Sequence, residues 1–179
     1  LVDLKHANEI TLYCDTNRLL PDTDPLSRQI VLGQGTFIEL LDLAAKQVGL
    51  SADIALFPEG MFDAKTVDRR PTARIRLASD TSVAKDALFA QILKRRTNRE
   101  MYETKEISDT SMKSIMASAS GLPVQIGFST NTAADVLSQH RAIAKEAWRI
   151  ELTTPRTMLE SLKLMRVGPA EIKQNPDGI

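Results

Sequence analysis

The chain has 179 residues, and its 23 basic side chains balance 23 acidic ones. This length allows one domain with its own hydrophobic core, or two small domains. The zero net charge excludes the strongly positive field that general binding of nucleic acids or other polyanions requires. The single cysteine, Cys14, excludes an internal disulfide and a cysteine-based metal site. Its neighbours Leu12 and Tyr13 indicate that Cys14 is a buried thiol on a strand.

Alternating apolar residues predict a small β-sheet. We expect strands at residues 9–15, 52–58, 72–78 and 123–129. In the third of these, Ala73, Ile75 and Leu77 should face inward, whereas Arg74 and Arg76 should face solvent. The second and third strands could pair antiparallel.

A long apolar pattern predicts a helix over residues 25–48. Asp24 is a candidate N-cap, with Pro25 at the first helical position, and Gly49 should end the helix. The apolar positions cover more than half of the circumference, so we expect a nearly enclosed helix. Gly33 and Gly35 each cost about 1 kcal/mol relative to Ala. They therefore suggest the close approach of another backbone or of a flat ligand; the alternative is a break between two shorter helices.

Further helices are predicted in the second half of the chain. One begins at an Asp80-Thr81-Ser82 cap and ends at an arginine-rich stretch; others cover residues 109–118, 132–152 and 156–166, and a last turn begins at Pro169. Ser108 should cap the helix at 109–118. The predicted fold class is α+β, with helices packed around a small, mainly antiparallel sheet.

The arginine-rich stretch carries the strongest chemical signal. It places three guanidinium groups and a hydroxyl within five residues: Arg95, Arg96, Thr97 and Arg99. The rigid donor fork of arginine suits a phosphate dianion, and a threonine hydroxyl adds one more donor. We therefore predict that these residues bind the phosphate of a cofactor. The alternative is a solvated helix end, where arginine side chains complement the helix dipole.

Residues 88–99 (LFAQILKRRTNR) resemble the opening helix and flavin-phosphate signature of the nitroreductase family, in which an apolar helix ends in Arg-Arg-Ser-x-Arg. Thr97 replaces the usual serine and keeps the hydroxyl. Residues 35–50 (GTFIELLDLAAKQVGL) resemble the central helix of that family. The order of the two segments is similar to the Acg-type branch, in which two nitroreductase-like halves are fused as an internal pseudo-dimer. Shorter segments fit the same branch, at residues 12–15, 18–21, 23–25, 160–162 and 166–172.

This resemblance implies a nitroreductase-like fold with a partial first half at residues 1–79 and a partial second half at 80–179. It also implies that the chain is an internal piece of a longer protein and packs with the missing segments or with a second copy. FMN would lie between the two halves, with its phosphate held by Arg95, Arg96, Thr97 and Arg99. The implied activity is reduction of nitro or quinone-like acceptors by NAD(P)H; no catalytic residue is assigned.

The rest of the chain agrees with a flavin enzyme, in which the protein supplies mainly positioning and hydrogen bonds to the cofactor. We find no nucleophile–base pair, and neither His6 nor His140 has a metal ligand at suitable spacing. Two alternatives stay open. One is a protein that binds or sequesters flavin without turnover, and the other is a helical interaction domain without a cofactor.

The expected location is a soluble compartment, because no apolar run reaches the length of a membrane span and no signal peptide is visible. The chain begins with Leu1 rather than Met, so an export signal could precede it in the parent protein. A bacterial-type cytoplasm and a periplasm therefore remain alternatives.

Overall fold

The computed structural model describes residues 1–63, 65, 67–103, 105–130 and 133–175. Contacts divide the chain into two compact units, one formed by residues 1–97 with 159–179 and the other by residues 98–158. The two halves predicted at residues 1–79 and 80–179 were inferred from the resemblance to a family of fused proteins. These contacts do not test that division, which stays a prediction.

The first unit contains a four-stranded antiparallel sheet. Its strands are β1 (Val2–Asp3), β2 (Glu9–Tyr13), β3 (Leu50–Leu56) and β4 (Pro71–Ser79), in the order β1-β2-β4-β3. The predicted antiparallel pairing of the second and third apolar runs is confirmed, since β3 pairs with β4 and places Ile54 opposite Ile75. On its other side, β4 pairs with β2 and places Ile10 opposite Ile75.

The hydrophobic core lies on one face of this sheet. Its buried residues are Leu12 of β2, Ala73 and Ile75 of β4, and one helix residue, Ile38. The inward positions predicted for β4 are confirmed, because Ala73 and Ile75 are fully buried and Leu77 packs against the same cluster. On the opposite face, Arg74 and Arg76 approach the Glu9 carboxylate at 3.5 and 3.0 Å. Alternation along β4 therefore separates the core from a polar surface.

Helix α1 (Arg28–Gln47) covers the core, and it contacts β3, β4 and a 3-10 helix at Ala87–Gln91. The prediction of a nearly enclosed helix is wrong, because only Ile38, Leu43 and Ala45 are buried among its 20 residues. A helix that rests on one face of a sheet buries one stripe, whatever the apolar content of its other faces.

The two glycines within α1 do not interrupt it. The helix is continuous through Gly33 and Gly35, so the predicted alternative of two shorter helices is wrong. A Cβ added at either glycine would meet nothing within 4 Å among the described residues. The close approach of another backbone that we expected at these positions is therefore absent from the described part of the chain.

The α-helix predicted before the arginine-rich stretch is also wrong. The Asp80 carboxylate accepts hydrogen bonds from the backbone N–H and the hydroxyl of Ser82, at 2.9 and 2.6 Å, and forms a local turn. The chain then forms only the 3-10 helix at Ala87–Gln91, whose N-cap Asp86 accepts a bond from the Leu88 N–H at 2.8 Å. Side chains that bond to nearby backbone groups compete with helix propagation in this way.

Four helices follow in the rest of the chain: α2 (Asp109–Ala117), α3 (Ala134–Thr153), α4 (Pro155–Leu164) and α5 (Pro169–Gln174). The predicted cap of α2 is confirmed, since Ser108 Oγ accepts a hydrogen bond from the Ser111 N–H at 3.2 Å. None of the described residues in these four helices is buried. The amphipathic patterns therefore predicted the helices but not a buried face.

The strand predicted at residues 123–129 is wrong. This segment is irregular and exposed, and it lies in the second unit, whereas all strands in the described residues lie in the first. A strand needs a neighbouring strand to satisfy its backbone N–H and C=O groups. The observed architecture is α+β, with a small antiparallel sheet and five α-helices in the described residues.

Candidate functional site

The residues predicted to bind phosphate lie on an exposed segment. The 3-10 helix ends at Gln91, and a final turn brings the Arg95 N–H to the Gln91 carbonyl at 2.8 Å. The side chains of Arg95, Arg96 and Thr97 follow this turn, and all three residues are exposed. The alternative of a solvated helix end stays open, although the helix before these arginines is a 3-10 helix and not an α-helix.

Side-chain contacts bring the first three predicted residues together. Arg95 Nη1 lies 3.4 Å from Thr97 Oγ1. Arg96 Nη1 donates to the carbonyl oxygens of Leu93 and Arg95, at 2.7 and 2.9 Å. These bonds turn the Arg96 guanidinium back over its own backbone and leave its Nε and Nη2 donors for another acceptor.

Arg99 does not belong to the same compact unit as Arg95, Arg96 and Thr97. The boundary between the two units falls between Thr97 and Asn98, so Arg99 belongs to the second unit. Asn98 Oδ1 accepts a hydrogen bond from the Glu100 N–H at 3.0 Å, which forms a turn around Arg99. Within the described residues, Arg95, Arg96 and Arg99 form no ion pair with a carboxylate.

The donor set at Arg95, Arg96 and Thr97 fits a phosphate dianion. Two guanidiniums supply charge and N–H donors, and the hydroxyl supplies a third kind of contact. The exposed residues 94–100 do not themselves enclose a volume for an isoalloxazine ring. These residues therefore fit the phosphate of FMN, and any wall for the ring comes from elsewhere.

A second polar assembly joins α4 to the loop before α1. The Glu160 carboxylate accepts hydrogen bonds from the backbone N–H of Asp22, the backbone N–H of Thr23 and the Thr23 hydroxyl, at 3.2, 2.7 and 2.6 Å. Partial burial acts to raise the pKa of Glu160, but the bonds from Thr23 and Asp22 outweigh it and hold the pKa below its usual value. Two segments that carry the family resemblance, 23–25 and 160–162, meet here.

Asp24 follows Thr23 in the same loop and binds the first turn of α1. The buried Asp24 carboxylate accepts hydrogen bonds from the backbone N–H groups of Arg28 and Ile30, at 2.8 and 3.0 Å. The predicted N-cap position is wrong, because α1 begins at Arg28 after the N-cap Ser27, although the Asp24 carboxylate still satisfies N–H groups of the first turn. Asp24 and Glu160 therefore hold the start of α1, which is a structural role.

We expect Glu160→Gln to lower the free energy of unfolding by about 1 kcal/mol at pH 7. A hydrogen bond to a charged acceptor contributes about 1.5–3 kcal/mol to stability when it is shielded from solvent, and partial exposure of Glu160 reduces that contribution.

Because the folded-state pKa of Glu160 is lowered, its contribution to stability is present above the pKa of an unfolded glutamate and is lost as the pH falls through the folded-state pKa. Urea unfolding at neutral and strongly acidic pH measures the difference. The control is Glu106→Gln at an exposed position; an equal difference at both pH values would contradict the assignment.

Cys14 is buried, as predicted, but it follows strand β2 rather than lying on it. Burial is the main cause that raises the pKa of its thiol above the ordinary value. At neutral pH the thiol is therefore protonated and a poor nucleophile.

Metal and membrane features give no further candidate site. In the ranges that the structure describes, no group of three or more His, Cys, Asp or Glu residues could hold a metal ion. The same ranges contain no helix that combines the length and apolarity needed to cross a membrane.

Comparisons of the chain with known protein families, with curated proteins and with solved structures find no match. The resemblance to the nitroreductase family therefore depends on the sequence motifs alone and stays a prediction.

One feature of the first unit was not predicted from the sequence. A groove of about 400 Å³ lies between the start of α1 and the connection from β3 to β4, and its apolar lining consists of Leu26, Val31, Leu32, Phe57, Met61, Phe62 and Val67. Residues 59–70 are largely polar in sequence and by themselves indicate an exposed loop. The signal that could have indicated the groove is the cluster Phe57, Met61 and Phe62 around Gly60, since polar loops seldom carry three large apolar residues so close together.

Proposed function

We propose that this chain is part of an FMN-dependent oxidoreductase of the nitroreductase type, which reduces nitro or quinone-like acceptors with NAD(P)H. The observation that carries the proposal is the cluster of Arg95, Arg96 and Thr97. Its donors are exposed, and its guanidiniums have no carboxylate partner among the described residues. It also lies in the stretch that resembles a flavin-phosphate signature.

Other arginines of the first unit show what a structural arginine does in this protein. Arg70 pairs with Asp68 at 2.8 Å, and Arg76 pairs with Glu9 at 3.0 Å. Arg95 and Arg96 have instead a neighbouring hydroxyl and backbone carbonyls as partners. Arg69 is likewise exposed and without an ion pair among the described residues, so the support for an anion site is the grouping of two guanidiniums with a hydroxyl.

In the proposed enzyme, Arg95, Arg96 and Thr97 hold the FMN phosphate, and Arg99 adds positive charge. When bound at these residues, FMN would supply the hydride chemistry between the nicotinamide and the acceptor. The protein positions the flavin and excludes water from it.

Exposed apolar residues of α3 support the further proposal that the chain packs against a second copy or against other segments of its protein. Ile143 is 67% exposed and Trp148 is 65% exposed. Large exposed apolar residues on one helix are typical of a surface that another protein element covers. Such an element could supply the wall for the flavin ring that residues 94–100 do not form.

The test is the visible absorbance spectrum of the protein that contains this chain, incubated with FMN, separated from free flavin, and then treated with NADPH without oxygen. We expect flavin bands that bleach on addition of NADPH. Bands that persist would contradict turnover and favour a protein that binds flavin without reducing it. The absence of bands would contradict the flavin proposal itself and return the arginine-rich stretch to a solvated surface.

A further inference from the structure

The groove beside α1 has a rigid aromatic wall. The rings of Phe57 and Phe62 meet edge to face, with their centroids 5.6 Å apart and an interplanar angle of 81°. The Arg70 guanidinium lies 5.7 Å from the centroid of Phe62. Arg70 is itself held by the Asp68 carboxylate and by the backbone carbonyl oxygens of residues 59 and 60. A cation stacked on a ring and fixed by an ion pair keeps this wall in one conformation.

The backbone also holds Phe57 in place. Phe57 has a φ of +47°, an unfavourable conformation for a bulky residue, and its N–H donates to the Thr72 carbonyl at 2.8 Å. Its carbonyl accepts a hydrogen bond from the Gly60 N–H at 2.9 Å. These bonds hold the tight turn that places the Phe57 side chain along the groove.

The groove also has polar lining residues. Ser27 lines it, is 4% exposed, and its hydroxyl has no hydrogen-bond partner among the described residues. Arg28 also lines the groove, is exposed, and its guanidinium forms no ion pair in the described part of the chain. A serine hydroxyl that lines a groove and caps no helix N–H can donate a hydrogen bond to a ligand there.

Two carboxylates of this region accept hydrogen bonds from backbone N–H groups. Asp63 lines the groove, but its carboxylate accepts a hydrogen bond from the Lys65 N–H at 2.7 Å. The Asp24 carboxylate is taken by the N–H groups of Arg28 and Ile30. The Arg28 guanidinium is the positively charged group among the described lining residues, and its complementary ligand is an anion.

We propose that this groove binds a small amphipathic carboxylate, with an aromatic or branched apolar body against Phe57, Leu32 and Met61 and its carboxylate at Ser27 and Arg28. Its volume of about 400 Å³ and its mainly apolar lining with few polar groups are typical of sites for small ligands. One guanidinium and one hydroxyl match a single carboxylate charge. This proposal does not rest on the flavin proposal, and it uses none of the residues assigned to the phosphate.

The test uses the 179-residue chain with ¹³C-labelled methionine methyl groups. The probe is 4-phenylbutyrate, and its uncharged analogue 4-phenylbutan-1-ol is the control ligand. We expect 4-phenylbutyrate to shift the Met61 methyl resonance, assigned with Met61→Leu, in a saturable way, and to bind more tightly than the alcohol. Arg28→Gln should weaken binding of the acid about tenfold, equivalent to about 1.4 kcal/mol, and leave the alcohol unchanged.

Two further variants complete the design. Arg69→Gln removes an exposed guanidinium that does not line the groove and should change neither affinity. Leu32→Ala should weaken both probes alike, because it removes apolar contact without removing charge. The proposal is overturned if the Met61 methyl does not respond to the acid at millimolar concentration, if acid and alcohol bind equally, or if Arg28→Gln leaves the affinity for the acid unchanged.

Discussion

Replacement of Ile75 by Ala will lower the free energy of unfolding of the first unit by about 2–5 kcal/mol, the range measured for truncation of a large aliphatic core residue. Ile75 is fully buried at the centre of the sheet. Ile75 lies opposite Ile10 of β2 on one side and Ile54 of β3 on the other. It belongs to the core cluster that includes Ile38. The removed atoms lose their contacts with three elements that cannot all move inward, so a cavity will remain.

Urea unfolding followed by the amide resonances of β4 measures this change in the unit that contains it. Resonances are preferable to a single optical signal, because the chain has two units and one transition need not describe both. The matched control is Ile172→Ala, an exposed isoleucine of α5, which should change the free energy by less than about 0.5 kcal/mol. A loss below about 1 kcal/mol at Ile75 would show that this core is less closely packed than the structure indicates.

Replacement of Arg96 by Ala will weaken FMN binding by about 1.5–3 kcal/mol, or tenfold to a hundredfold in the dissociation constant. Arg96 retains Nε and Nη2 donors for a phosphate after Nη1 has bonded to the Leu93 and Arg95 carbonyls. Those two bonds orient the guanidinium before the ligand arrives, which reduces the entropy lost on binding. Quenching of flavin fluorescence, with the protein that contains this chain, measures the affinity.

Arg69→Ala is the charge-matched control for Arg96, since it removes an exposed arginine outside the proposed phosphate site. A second comparison tests the Thr97 hydroxyl, which lies 3.4 Å from Arg95 Nη1. Thr97→Ser keeps this hydroxyl and should bind FMN normally, whereas Thr97→Val should bind more weakly. Equal flavin affinity in Arg96→Ala and Arg69→Ala would refute the assignment of the phosphate site, even if the protein binds flavin elsewhere.

The strands of the core illustrate what local pattern can predict. Alternation in residues 72–78 predicted both the strand and its inward face, because side chains of a strand point to opposite sides in turn. The Ser108 cap was also predictable, since a short polar side chain before an apolar run satisfies nearby backbone N–H groups. In each case the determining interaction lies within a few residues along the chain.

The errors concern positions where a distant part of the chain decides. Residues 123–129 alternate like a strand, but no strand in the described second unit pairs with them. The groove depends on Arg70 stacking on Phe62 and on the approach of the β3–β4 connection to the start of α1. Neither contact leaves a periodic signal in the sequence.

Local sequence patterns are enough to predict the α+β class, the inward face of β4, the Ser108 cap of α2 and the grouping of Arg95, Arg96 and Thr97. Contacts between distant segments decide how much of α1 is buried, that the arginines follow a 3-10 turn, that Glu160 binds Thr23, and that Ser27 and Arg28 line an apolar groove. The physical reason is the range of the interactions. Backbone hydrogen bonding and side-chain alternation are set by neighbours in the chain, whereas burial and cavities depend on which surfaces meet in space.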